Sequence, residues 1–211
     1  MRIGYGNRDD ELQRGGHRMA VLISASDDGI VVRGLSMTTK EYLDSYESNR
    51  PRELRRGVVR EPPAPFFSHQ QLVLKIARVL ADHAEWTACG HVGIAPLDVV
   101  LDADRALVVQ PDVLFVAAER SSIIRNQIWR APDLVVEVLS PGSAAHDRGE
   151  KLEWYRQYGV RECWLVDPGG PHVTVIEFAA ATPTSRVITP PDIVRSSVLR
   201  GFVAPASLLL P

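Results

Sequence analysis

Leu134, Val135, Val136, Glu137, Val138 and Leu139 form an apolar run with one carboxylate inside it. An unpaired carboxylate in a buried strand costs several kcal/mol or more. A chain that keeps one supplies a partner, and for clustered carboxylates the most general partner is a divalent metal ion. Asp112, directly after Pro111, opens a second apolar run, Val113 to Val116. Counting by twos along neighbouring strands can place Asp112 and Glu137 at matching heights on one face. Two such carboxylates repel and raise one pKa unless a cation lies between them, so the pair predicts a magnesium or manganese site. Taken singly, Asp112 can also be a turn cap after proline, and Glu137 half of a buried salt bridge to an arginine.

Other residues could join them. Lys151 lies four positions after Asp147. On a helix packed back against the sheet, its ammonium could orient a water or stabilise charge developing on a phosphate. Asp147 and Lys151 are equally well spaced for an exposed helical pair worth only a few tenths of a kcal/mol. Glu53 could provide a third carboxylate, although a lone glutamate is ordinarily a surface residue. His69, in the first turn of a long helix, has an auxiliary or a merely structural place. Arg50, Arg52, Arg55, Arg56 and Arg60 make the densest basic run. Arg52, Arg55 and Arg56 could bind phosphates, but such runs are often simply solvated. Trp154, Tyr155 and Tyr158 follow helical spacing and read as a packed helix face rather than a base-stacking platform.

The elements that must position these groups follow from periodicity and punctuation. Thr38 with Glu41, and Ser68 with Gln71, match capping boxes at two helix starts. After the second, Leu72, Val73, Ile76, Ala77, Val79, Leu80 and Ala84 keep helical spacing, the strongest such signal in the chain. Residues 91–116 change to β-branched runs broken by Pro96 and by the polar turn 102–105, which predicts a meander. Residues 117–132 carry charges and little periodicity. Strand 133–140 leads to a helix over 147–158 that Gly159 stops, then to strands 162–167 and 172–178 about a turn at 168–171. The tail, 187–203, predicts one or two strands, with a short helix over 206–210. Residues 1–36 read as an extension that could hold a small hairpin, and 37–211 as one domain.

Composition narrows the function. With 45% hydrophobic and 24% charged residues in 211, the chain is long enough for a sizeable core and unlike a disordered one. A net charge of -2 shows no basic excess, so any nucleic-acid contact must come from a local patch. Cys89 and Cys163 have no zinc or disulfide spacing, which suits a reducing cytoplasm. No apolar run reaches the roughly 18 residues of a membrane span, and no hydrophobic signal core opens the chain, so neither export nor a membrane is expected.

Pro111-Asp112, Glu137 within Pro-Asp-Leu-Val-Val-Glu-Val-Leu-Ser-Pro, Asp147, Lys151, and Gly159-Val160 leading to Cys-Trp-Leu-Val-Asp-Pro together resemble the Uma-type family of restriction-endonuclease-like proteins in the PD-(D/E)XK nuclease superfamily. The likeness runs from about Met37 to the end of the sequence. It implies an α/β (α+β) fold, a restriction-endonuclease-like central mixed β-sheet flanked by helices, with acidic residues binding a metal at one edge. It implies that Glu53, in a Glu-Leu-x-x-Gly segment, is an early helix-associated glutamate of the site, and that His69 follows a proline-rich turn as in the family. Asp112 and Glu137 match the two acidic positions of the superfamily motif. Leu139 stands where that motif has lysine, so Lys151 must take the part if the site is active. The expected activity is magnesium-dependent (or manganese-dependent) cleavage of DNA, with Glu53, Asp112 and Glu137 holding the metal and Lys151 positioning the nucleophile or stabilising the transition state. Cutting both strands with one site per subunit would favour a homodimer. The rival readings are a nuclease-fold binding or assembly module without turnover, and a nuclease for RNA or branched nucleic acid.

Overall fold

The structure, a computed structural model, describes residues 22–26, 29–33, 36–45, 51–140, 145–178 and 182–211. In chain order the elements are β1 (Leu22–Ser26), β2 (Gly29–Arg33), α1 (Thr39–Asp44), β3 (Glu53–Arg55), β4 (Val58–Glu61), α2 (Phe67–Thr87), β5 (Gly90–Ile94), β6 (Val99–Asp102), β7 (Leu107–Val109) and β8 (Val113–Ala117). There follow β9 (Ile128–Trp129), β10 (Leu134–Val138), α3 (Ala145–Tyr158), β11 (Glu162–Asp167), β12 (His172–Glu177), β13 (Thr184–Ile188), β14 (Ile193–Arg195) and β15 (Val203–Pro205). Short 3-10 turns cover Ala118–Ile123 and Ala206–Leu208.

The capping box at Thr38 forms: its side chain accepts from the Glu41 amide while the Glu41 carboxylate takes the Thr38 amide. The one expected at Ser68 does not. Helix α2 begins at Phe67, capped by the extended backbone of Phe66 with no side-chain bond, so Ser68 already lies inside the first turn. The expected apolar stripe is otherwise buried, apart from a half-buried Val79. Gly159 ends α3 with φ +94°, a left-handed conformation that favours glycine. Gly57 turns β3 into β4 with φ +85°, and a Cβ there would lie 2.1 Å from Ser36 Oγ. The hairpin β1–β2 exists, and β2 pairs antiparallel with β4, which joins it to the rest of the sheet. The first part of the expected extension, residues 1–21, lies outside the described residues.

Six strands in the order β13-β12-β11-β10-β8-β5 make a mixed sheet, antiparallel throughout except for the parallel pair β10 and β11. Helix α2 covers one face, burying Leu72, Ile76 and Leu80 against Val113, Phe115, Val136 and Trp164. The C-terminal residues Leu199, Phe202 and Leu209 close that layer. Trp154 and Tyr155 of α3 pack on the opposite face, against Leu114, Val116, Val135 and Cys163. This is the helix-flanked mixed sheet that the family resemblance implies. A second sheet, of order β1-β2-β4-β3-β7-β6-β9, brings Val99, Leu107 and Val109 into the same core as α3. Its far side carries Tyr42 of α1 with Leu54, Val100 and Val108. Helix α3 is thereby wedged where two sheets meet, which explains how so polar a helix buries its aromatic side chains. Among the described residues no helix is long and apolar enough to cross a membrane.

Candidate active site

Antiparallel pairing of β8 with β10 sets Val113 opposite Val136, so Asp112, one residue before β8, falls opposite Glu137. The Asp112 Oδ2 atom accepts the Val138 amide at 2.7 Å, which fixes the aspartate beside the strand end. By period-two counting both acids share the face of Leu114 and Val135, the face on which α3 packs. Each keeps a little exposure, 19% for the Asp112 side chain and 17% for Glu137.

Lys151 descends from α3 into this corner. Its Nζ lies 2.7 Å from Glu137 Oε1 on one sheet and 3.2 Å from Glu53 Oε1 on the other. One turn along the helix, the Tyr155 hydroxyl donates to the same Glu137 Oε1 at 2.5 Å. Glu53 is saturated with donors: Arg55 Nε and Nη2 reach Oε2 at 2.9 and 2.6 Å, and the Gln110 amide reaches Oε1 at 3.2 Å. The Arg55 guanidinium lies 5.6 Å above the Trp154 ring, so the pair is braced by α3 as well. From α2, His69 Nε2 stands 3.4 Å from Asp112 Oδ2, while its buried Nδ1 has no hydrogen-bond partner among the described residues.

The two glutamates differ electrically. Burial opposes ionisation of Glu53, but Lys151 and Arg55 outweigh it and hold the carboxyl down at about 2. Burial also opposes ionisation of Glu137, and there the neighbouring charge of Asp112 adds to it, so that Lys151 and Tyr155 leave the carboxyl pushed up to about 7. Burial works to lower the pKa of Lys151; the charges of Glu137 and Glu53 outweigh this and raise it. Hydrogen bonding to Asp112, set against burial, raises that of His69. With Glu53, Asp112 and Glu137 ionised and His69 neutral, three carboxylates face two cations, Lys151 and Arg55, and the shortfall lies where Asp112 meets Glu137.

That shortfall and the hard oxygen donors fit a small divalent cation between Asp112 and Glu137. Among the described residues no group of three His, Cys, Asp or Glu side chains converges to hold a metal by itself. A magnesium ion does not need one, since it binds by one or two carboxylates and fills its shell with water and substrate phosphate.

Of the residues singled out by sequence, Glu53, Asp112, Glu137, Lys151 and His69 therefore meet. Glu53 opens β3, a short strand near the first helix, and its oxygens face Lys151 and Arg55. Glu137 pairs with a lysine, not an arginine. Lys151 is only 13% exposed, which removes the reading of it as half of a solvated helical pair. The side chain of Asp147 lies outside the described residues. Arg55 is committed to Glu53, and Arg52 donates to the carbonyls of Tyr42 and Ser45 while stacking 4.5 Å over the Tyr42 ring, so both serve the fold's own contacts. Arg56 alone of that trio is exposed, at the turn beside Gly57. Tyr155 entered the sequence reading only as a packing residue; its place four residues after Lys151 was the signal that both could reach one carboxylate.

A family model described as "Uma2: Putative restriction endonuclease" matches residues 39–207. No curated protein matches the chain. Among solved structures the fold is similar to that of a protein from Anabaena variabilis ATCC 29413, described as a putative nuclease belonging to DUF820. The TM-score is 0.71 at 19% sequence identity, covering 82% of this chain and 97% of that one. The family match spans most of the sequence and includes every acid and the lysine of the corner described above, and the chain belongs to the Uma2 family of restriction-endonuclease-like proteins.

Proposed function

We propose that the protein is a metal-dependent endonuclease that hydrolyses phosphodiester bonds in DNA, with its reaction centre at Asp112, Glu137 and Lys151. The observation that carries this reading is the placement of Lys151: absent from the motif position, where Leu139 stands, the ammonium nevertheless reaches Glu137 from α3. Asp112 and Glu137 would hold magnesium or manganese, which when bound supplies positive charge to the scissile phosphate and makes a bound water acidic. Lys151, kept protonated by two carboxylates, offers an N–H donor and a positive charge to a nonbridging phosphate oxygen or to the attacking water. Glu53 is a positioning residue: its charge aims the lysine, and Arg55 and the Gln110 amide aim Glu53 in turn. Tyr155 fixes the rotamer of Glu137. His69 holds Asp112 from the other side and stands near enough to contact a phosphate arriving there. The two free thiols, Cys89 and Cys163, suit work in a reducing cytoplasm.

Nicking of supercoiled plasmid, with magnesium and with a chelator in its place, tests the reading. The wild-type protein should convert plasmid to the open circular form only with the metal, and Glu137→Gln should not. Equal nicking by Glu137→Gln would refute the assignment of the centre.

A further inference from the structure

Beside the candidate centre a cavity of about 630 Å³ runs between the first turns of α2 and the C-terminal residues. That volume is within the range of roughly 300–1,000 Å³ typical of ligand sites. Two features join it to the centre: His69, the neighbour of Asp112, is part of its lining, and Leu139 and Ser140 line it directly after the strand that carries Glu137. Leu72, Leu74, Val79, Leu139 and Leu208 make its walls apolar. Phe66 at its rim is 74% exposed, and Leu74 50%. Lys75 and Arg78 project from α2 into the same lining, with Asp82 beyond them. Lys75 is anchored to the carbonyls of Ser207 and Leu210, whereas Arg78 has no partner among the described residues.

We infer that this groove holds an unpaired nucleotide of the substrate strand next to the bond that is cut, an inference that rests on the nuclease reading of the neighbouring centre. His69 lines the groove and stands 3.4 Å from Asp112, so a strand held at Asp112 passes beside the groove's lining. Its wall chemistry matches the apolar face of a base, the exposed ring of Phe66 can stack on one, and Arg78 supplies a cation for the adjoining phosphate. A base held in a stacked duplex keeps its faces covered by its neighbours and cannot enter an apolar groove. The substrate class that follows is nucleic acid with an unstacked segment: a single strand, a flap, a frayed end or a melted stretch of supercoiled DNA. Such a segment also suits a chain of net charge -2, because stacking replaces part of the electrostatic attraction that a duplex binder needs.

Fluorescence anisotropy of end-labelled oligothymidylate and of a blunt duplex of equal length, both in chelator so that cleavage plays no part, tests the inference. The full chain should bind the single strand at least about tenfold more tightly than the duplex. Phe66→Ala and Leu74→Glu, at exposed positions that do not support the core, should each weaken single-strand binding by roughly that factor and leave duplex binding unchanged. Equal affinity for the two oligonucleotides, or single-strand binding indifferent to both substitutions, would overturn the groove. Tight single-strand binding that depends on Phe66 and Leu74, in a protein that cleaves nothing with magnesium, would uphold the groove and sink the hydrolytic reading instead.

Discussion

Glu137 on β10 and Glu162 on β11 stand on neighbouring parallel strands, each in an apolar run. Glu162 is the more deeply buried, with no exposed surface. Its carboxylate is nonetheless at rest: Trp164 Nε1 donates to Oε1 at 2.7 Å, and the Ser197 amide and hydroxyl donate to Oε2 at 2.6 and 2.5 Å. These neutral donors are fixed by the fold, and they pin the C-terminal segment to the sheet. Glu137 shares one ammonium with Glu53, takes one phenol hydrogen bond, faces the charge of Asp112 and keeps an opening to solvent. An acid inside a strand is therefore not in itself a mark of chemistry. What separates the two is whether the donors around the carboxylate complete its shell or leave charge unbalanced toward solvent.

Exchanging each glutamate for its amide breaks the comparison most sharply. Glu137→Gln should lower magnesium-dependent nicking roughly a thousandfold and leave the protein folded by circular dichroism. Glu162→Gln should do the reverse, costing about 2 kcal/mol in urea unfolding, because either placement of the new NH2 group sets it against an N–H, that of Trp164 or that of Ser197, while the folded fraction keeps its activity. A smaller difference between the two in activity would mean that the partner chemistry does not mark the centre.

Removing the shared cation comes next. Lys151→Met leaves Glu53 and Glu137 confronting one another in a buried corner, and denaturant unfolding at alkaline pH should show a loss of about 3–5 kcal/mol. Acidification should recover part of it as Glu137 takes a proton. Unaltered stability would show that the lysine is dispensable to the corner.

The pH profile of the wild-type protein should resolve the two acids of the centre. Glu137 has a folded pKa of about 7 against an ordinary 4.5, so between these values the folded state holds the extra proton and stability falls as pH rises. Glu53 runs the other way: its value of about 2 against 4.5 gives stability that is complete above the ordinary value and is lost as pH falls toward 2. Unfolding midpoints measured from acid to alkaline pH should show both limbs. In Glu137→Gln the fall between 4.5 and 7 should vanish, while the acid limb remains and so does the loss of the His69 contribution above its ordinary 6.5, and saturating magnesium should flatten the fall between 4.5 and 7 by favouring the ionised carboxylate.

Tyr155→Phe is the mildest change. Loss of one hydrogen bond should cost about 1 kcal/mol in unfolding and about tenfold in nicking, and should move the upper limb of the pH profile further up. A variant with the wild-type profile would limit Tyr155 to packing.

Much of this was legible in the sequence where local pattern and burial agree. The stripe from Leu72 to Ala84, the strand through Glu137 and the stop at Gly159 each carry their signal within one segment. The Ser68 capping box failed because Phe66, set extended after Pro65, starts the helix sooner. The second sheet was faint, since β3, β7 and β9 are two or three residues long and are held by pairing with distant strands. The contact between Lys151 and Glu53 depends on both sheets meeting over α3, which no periodicity encodes. Leu139 at the motif's lysine position signalled that an amine must arrive from elsewhere, and helical spacing already offered Lys151, though equally as half of an exposed pair.

The most direct measurement is a crystal soaked in manganese, with anomalous scattering used to locate the ion. The account predicts a peak within bonding distance of carboxylate oxygens from both Asp112 and Glu137, with Lys151 still against Glu53. A well-occupied manganese site elsewhere, with none between those two acids, would contradict it.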